Sequence, residues 1–314
     1  MTDLLERVRA GGLLAPGRPV LVLLSGGQDS VCLLDVAVRI AGASAVRALH
    51  CNYGLREEAD GDEAHCAALC ERLGVALDVH RPGRPTGNLQ AWARDERYRE
   101  ARRLAPDRDI AAGHTASDQV ETVLYRLAAS PGRRALLGMA PREGRLIRPL
   151  LGVSRADTAA HCDARGLVWR EDASNARFAR GGIRHDLLPA LRAIHPAAEA
   201  NVLRTLELLR DEAAVLDAAV DEALAGAGDP PALLALRALP PALGRLALQR
   251  LADRAAGPGP PAPAIGRRAA EVLALGEGGA LDVGGGLRAE IRGGAVRFGA
   301  SRGPAAPHPR RAPS

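Results

Sequence analysis

Residues 20–24 (VLVLL) form a short run with no polar position among the apolar ones. Such a run fits a strand buried on both faces of a parallel sheet. A Ser/Gly turn follows, and then SVCLLDVAVRIAG repeats its apolar residues at helical spacing and stops at Gly42, a suitable C-cap. The alternation continues. Residues 45–51 (AVRALHC) read as a strand, 57–73 as a helix closed by Gly74, and 75–80 (VALDVH) as a third strand. Residues 88–104 read as a helix, 109–114 (DIAAGH) as a fourth strand, and 117–129 as a helix with Ser117 or Asp118 near its cap. A fifth strand is expected in 145–150 (RLIRPL), then a helix over about 154–165. Strands alternating with helices at this spacing predict the α/β class, with a doubly wound parallel sheet. Ligands of such sheets bind at the carboxyl ends of the strands. Every polar cluster considered below follows a strand.

From residue 183 the pattern changes. IRHDLLPALRAIH and the long stretch beginning AAEANVLRTLELL are amphipathic helices with no strand between them. A Pro/Gly break at 256–264 precedes a short helical pattern and three strand-like pieces, GALDVGG, LRAEIRG and AVRFG. The expected organisation is an α/β domain over 1–190, a helical appendage over 191–255, a small C-terminal α+β module over 256–300 and a disordered basic tail over 301–314. No internal repeat is seen.

Composition sharpens this picture in three ways. The 314 residues are 47% hydrophobic and 25% charged, enough for a sizeable core, but aromatics are scarce, so the core must rest on Leu, Val and Ala. Net charge is +5 and no lysine occurs, so every basic side chain is Arg. That balance fits an anionic partner such as nucleic acid and equally a coding bias toward Arg, Ala and Gly. Absence of lysine excludes a Schiff base and a Walker-type phosphate lysine. The five cysteines, an odd number in a sequence without a secretory-type apolar segment near its start, argue for a reduced cytoplasmic protein, and no C-x-x-C points to a metal or sulfur relay. Cys66 and Cys70 lie four apart on a helix rich in Ala and Leu, which suits burial. No apolar run is long enough to span a membrane.

The candidate chemistry starts at Ser25-Gly26-Gly27-Gln28-Asp29-Ser30. Two glycines allow positive φ and close backbone approach, two serines add hydroxyls, and the following helix directs its positive dipole end to the same point. Together these form a phosphate cradle that is neither Walker A nor a GxGxxG dinucleotide loop. SGGQDS resembles the SGG-x-DS loop of the N-type ATP pyrophosphatases, or PP-loop proteins. Further segments narrow the resemblance. Leu49-His50-Cys51-Asn52-Tyr53-Gly54-Leu55-Arg56 resembles the L-H-x-x-x-G-L-R segment of the tRNA(Ile)-lysidine synthases. Asn88, Ala93-Arg94 and Arg97-Tyr98 resemble their N…AR…RY helix, and His114 to Thr122 their H-x-x-D-D-Q-x-E-T signature. Arg148-Pro149-Leu150-Leu151, Trp169 to Asn175, Ile183-Arg184 and Leu188-Pro189 follow in order. Three departures stand out: Ser117 replaces the first Asp of D-D, Gly181 takes the Asn position of R-N-x-I-R, and an acidic or His residue common near Asn52 is absent.

The resemblance implies a cytoplasmic ligase. Using ATP and Mg²⁺, it would adenylate the wobble cytidine of a CAU-anticodon tRNA(Ile), release pyrophosphate and join free lysine at carbon 2. A homodimer is left open. By the same resemblance Ser25, Gly26, Gly27, Gln28, Asp29, Ser30, His50, Arg56 and Gly113 would bind ATP, and Asp29 would help place Mg²⁺. Asp118 and Glu121, three apart on one helix face, would hold the lysine ammonium. With Asp29 and His114 they form the catalytic set. Arg94, Arg97 and Arg184 are the tRNA candidates, and Arg56 and Arg148 could also meet phosphates. The bland alternatives are N-terminal acids favouring a helix dipole, solvated arginines, and Trp169 as a core residue. Rival functions are a tRNA thiolase of the same superfamily, in which Cys would be essential, and a nucleotide-binding sensor without turnover. Amidation would need a glutaminase partner, and the sequence shows no such domain.

Overall fold

The computed structural model describes residues 3–55, 57–129, 132–170, 182–257, 262, 264–266 and 268–301. The chain divides into two compact units, Met1–Leu206 and Glu207–Ser314. Helix α1 (Leu4–Ala10) opens the first unit, followed by β1 (Val20–Leu23), α2 (Gln28–Ala41), β2 (Val46–Cys51), α3 (Ala59–Leu73) and β3 (Ala76–His80). Then come α4 (Leu89–Leu104), β4 (Asp109–Ala111), α5 (Ala116–Ala129), the single turn α6 (Arg133–Leu136), β5 (Arg142–Glu143), β6 (Leu146–Ile147) and α7 (Arg155–Ala164). A π-helical turn, Ile183–Leu187, leads into α8 (Leu188–Ile194).

The strand order is β3-β2-β1-β4-β6-β5, with every pair parallel except β5–β6. The sheet is therefore mostly parallel, as expected, but carries one antiparallel edge strand that the sequence pattern did not reveal. The expected strand 145–150 shrinks to Leu146–Ile147, because Gly144 at φ +60° turns the chain back on itself and Pro149 has no N–H for a ladder. β1 is the central strand and all four of its residues are buried, which is what the uninterrupted apolar run required.

Local signals set most ends. Asn88 accepts from the N–H groups of Gln90 and Ala91 and so caps α4. Gly74 closes α3 in the left-handed conformation. Ser154 and Asp157 form a complete capping box on α7. One core packs α1, α2, α3 and α7 against β1 and β2; Trp169 packs against it, as expected for a core residue. A smaller cluster with Ala101, Ala105 and Ile110 lies beneath α4.

In the second unit Val220 and Leu224 on the long helix α9 (Ala198–Ala227), Leu236 on α10 (Leu233–Ala238) and Leu248 on α11 (Pro241–Ala256) share one core with Val272 on α12 (Arg268–Ala274). Val283, Ala289 and Val296 join it from β7 (Ala280–Gly284), β8 (Leu287–Arg292) and β9 (Ala295–Ala300), an antiparallel sheet of order β7-β8-β9. Residues 220–252 of the expected helical appendage thus share one core with the residues of the expected C-terminal module, whereas residues 191–206 belong to the first unit. Most of the expected tail lies outside the described residues. Among the described residues no helix is long and apolar enough to cross a membrane.

Candidate active site

The loop between β1 and α2 is closed by its own polar groups. Ser30 Oγ donates to the Gly27 carbonyl at 2.8 Å and accepts from the Ser25 N–H at 3.1 Å; the two serine hydroxyls are also 3.1 Å apart. Gly26 takes φ +85°, and a Cβ there would stand 3.3 Å from Cys66 Sγ. Gly27 is the N-cap of α2, and no side chain caps the first-turn N–H groups. These donors and the helix dipole make the N-terminus of α2 a place for anionic oxygens.

Neighbouring elements press on this loop. His50, at the end of β2 and buried, has Nδ1 2.9 Å from the Leu24 carbonyl and 3.4 Å from Cys66 Sγ. Gly113, just beyond β4, lies close against the start of α2: a Cβ would stand 3.1 Å from the Asp29 carbonyl carbon and oxygen and 3.2 Å from the Ser30 nitrogen, tighter than an ordinary contact. The Arg170 N–H donates to the Gly26 carbonyl at 3.0 Å, and its guanidinium pairs with Asp62. Gln28 turns its amide toward α7, donating to the Arg155 carbonyl at 2.6 Å and to Thr158 Oγ1 at 2.7 Å. Asp29 Oδ1 accepts from Thr158 Oγ1 at 2.6 Å. Burial pushes the Asp29 carboxyl above its ordinary value; the Thr158 bond, Arg155 and Arg184 oppose this, and Asp118 adds to it. A desolvated carboxyl facing a second carboxylate is an environment that attracts a cation.

On α5, Asp118 Oδ2 accepts from the Thr115 N–H at 2.8 Å and from its hydroxyl at 3.0 Å, so Asp118 serves the helix start from the third position. Ser117 accepts from the Arg155 N–H at 3.4 Å. Glu121 is buried and paired in bidentate fashion with Arg184, Nε to Oε1 at 2.7 Å and Nη2 to Oε2 at 3.0 Å. Arg184 Nη2 is 3.9 Å from Asp118 Oδ1. The π-helical turn that carries Arg184 thus joins a residue expected at tRNA to one expected at lysine.

His114 is held below its ordinary value, at about 4, by burial; Asp118 favours its protonated form, whereas Arg148, Arg97 and Arg94 oppose it. Its Nδ1 is buried and, among the described residues, has no hydrogen-bond partner; the same holds for Arg97 Nε and Arg148 Nε. Arg94 and Arg97 lie 5.0 and 5.7 Å from the Tyr98 ring centroid. Arg56, Gly181 and the segment 171–175 lie outside the described residues.

The family model described as a PP-loop domain matches residues 4–191. A tRNA(Ile)-lysidine synthase of Symbiobacterium thermophilum is 38% identical, with 95% of this chain and 69% of that relative covered. The chain belongs to the tRNA(Ile)-lysidine synthase family. The corresponding synthase of Pseudomonas putida is 40% identical over 73% of this chain and 58% of its own length. The chain spans roughly half to two thirds of the length of most such relatives. Among solved structures, the U34-tRNA thiolase NcsA of Methanococcus maripaludis with its [4Fe-4S] cluster superposes with a TM-score of 0.55 at 17% identity. That likeness covers 66% of this chain and 78% of the thiolase, and it is one of fold.

The cysteines here differ from a reactive set. Burial raises the Cys51, Cys66 and Cys70 thiols to about 11, 12 and 11. Cys32, in contact with Cys162, is raised as well. Among the described residues no group of three or more His, Cys, Asp or Glu side chains could hold a metal. Sequence reasoning missed Thr115, Arg155 and Thr158. The capping box marks the start of α7, but nothing in the chain pattern pairs Thr158 with a residue 129 positions earlier.

Proposed function

We propose that the protein is an ATP-dependent ligase that forms lysidine at the wobble cytidine of a CAU-anticodon tRNA(Ile). The observation that carries this is the convergence of Asp29, Asp118 and the Glu121–Arg184 pair beside an uncapped, glycine-lined helix N-terminus. Ser25, Gly26, Gly27, Gln28 and Ser30 would cradle the phosphates of ATP through backbone N–H groups and hydroxyls, with His50 and Gly113 shaping the walls. Arg56, from its motif, would add charge at the phosphates.

Oxygen 2 of the cytidine would attack the α-phosphorus, and pyrophosphate would leave. The lysine amine would then attack carbon 2, AMP would leave with the oxygen, and the amine would give up a proton. The residues fit these demands unequally. Glu121 is already occupied by Arg184, so Asp118 is the carboxylate with capacity to hold an ammonium and accept its proton. Glu121 would act by holding Arg184, whose guanidinium could face tRNA or phosphate. His114, neutral at neutral pH, would offer hydrogen bonds without charge. Arg94 and Arg97 would meet the tRNA backbone. Asp29, desolvated beside Asp118, suits Mg²⁺, which when bound would neutralise phosphate charge.

Pyrophosphate release should be measured with Mg-ATP, lysine and the tRNA, omitting each in turn. Release that requires the tRNA, with labelled lysine entering it, is the expected result. Release without lysine incorporation would overturn the ligase reading and favour a sulfur donor. ATP binding without release would favour a sensor.

A further inference from the structure

The first turn of α2 is gripped from the side by α7. Thr158 on α7 has no exposed surface, and its hydroxyl meets the first two residues of α2. Oγ1 donates to Asp29 Oδ1 at 2.6 Å and accepts from Gln28 Nε2 at 2.7 Å. A hydroxyl has one proton; the Arg155 carbonyl competes for it at 3.0 Å, but the carboxylate is nearer and is the stronger acceptor when ionised.

α7 is itself fixed on both sides of Thr158. Its capping box holds the N-terminal end, and Arg7 reaches across from α1 to Asp157 at 3.1 Å and to the Gly152 carbonyl at 2.5 Å. Toward its other end His161 Nε2 lies 2.8 Å from Asp35 Oδ2 on α2. Asp29 Oδ2 makes no hydrogen bond among the described residues. A carboxylate with one oxygen pinned by an anchored hydroxyl and the other free is oriented in advance, which is how a supporting residue holds a chemical group in its productive geometry.

We propose that Thr158 is a positioning residue for the phosphate loop: its hydroxyl fixes the Asp29 carboxylate and the Gln28 amide so that Asp29 Oδ2 is presented to the cation that accompanies the nucleotide's phosphates. This rests on the ATP-consuming reading above. Ordinary helix–helix packing would be served equally by a valine, which has the same shape and no hydroxyl.

The test compares Thr158→Val and Thr158→Ser in the full chain, following pyrophosphate release against Mg²⁺ and tRNA concentration, with urea stability in parallel. Thr158→Val should fold, lose about tenfold in kcat, the scale of one hydrogen bond to a charged group, and need more Mg²⁺, with KM for tRNA unchanged. Thr158→Ser should restore both kcat and the Mg²⁺ requirement. Wild-type kcat and Mg²⁺ dependence in Thr158→Val, or failure of serine to rescue, would overturn the proposal. Should the wild-type protein release no pyrophosphate, the functional reading fails separately. The tie is then decided by stability alone: the effects of Thr158→Val and Asp29→Asn should be non-additive, and additivity would refute it.

Discussion

At the scale of single residues, the site is built from groups whose neighbours decide their chemistry. Asp29 sits in the first turn of α2, where one carboxyl oxygen is held by Thr158 and the other is left to meet a cation. Asp29→Ala should therefore abolish pyrophosphate release while leaving the circular dichroism spectrum and unfolding midpoint near wild type; wild-type turnover would remove Asp29 from the mechanism. Glu121 and Arg184 make the opposite case. Glu121 is buried and, among the described residues, its charged partner is Arg184. Arg184→Ala leaves an unpaired buried carboxylate and should cost about 3 kcal/mol in urea denaturation, the lower end for a broken buried pair, since Arg184 is partly exposed. His114 gives a pH signature. An unfolded histidine titrates near 6.5 and this one at about 4, so between those values the unfolded chain binds the proton and the native chain does not. Stability should fall as pH drops through that window, and His114→Gln should flatten the fall. An unchanged pH slope in the variant would show that the ring is not desolvated in solution.

At the scale of elements, the loop is shaped by what surrounds it. Two residues beyond β4 the chain has Gly113 where α2 begins against it, with backbone atoms close to where a side chain would go. Gly113→Ala must push the first turn of α2 aside, since neither contact is the end of a flexible side chain. A loss of about 1–3 kcal/mol is expected, the range for overpacking, together with weaker nucleotide binding by titration. This glycine was visible in its motif, but its reason was not. A sequence shows that a glycine follows a strand; it does not show which backbone crosses there. The strand–helix alternation, the caps at Asn88 and Gly74 and the capping box at Ser154 were legible because they depend on residues a few positions apart. The hairpin β5–β6 was hidden because two-residue strands carry no periodicity.

At the scale of the whole molecule, two compact units have separate hydrophobic cores. Both tryptophans, Trp92 and Trp169, belong to the first unit, so fluorescence reports on that unit alone while far-ultraviolet circular dichroism reports on both. Leu248 is fully buried in the second core. Leu248→Ala should destabilise that unit by about 2–5 kcal/mol, the usual cost of such a core deletion. The dichroism transition should then move to lower urea ahead of the fluorescence transition. Coincident shifts of both probes would mean that the units unfold as one.

The main alternation of strands and helices from β1 to α5, the loop at the end of a buried strand and the family could be read directly from the chain, because each depends on local spacing or on residues that stay together in sequence. The pairing of Glu121 with Arg184, the clasp of Thr158 on Asp29 and the depression of His114 could not. Each joins groups from separate elements. Whether a carboxylate is paired, desolvated or free depends on the distances and burial that only the packed sheet and its helices create.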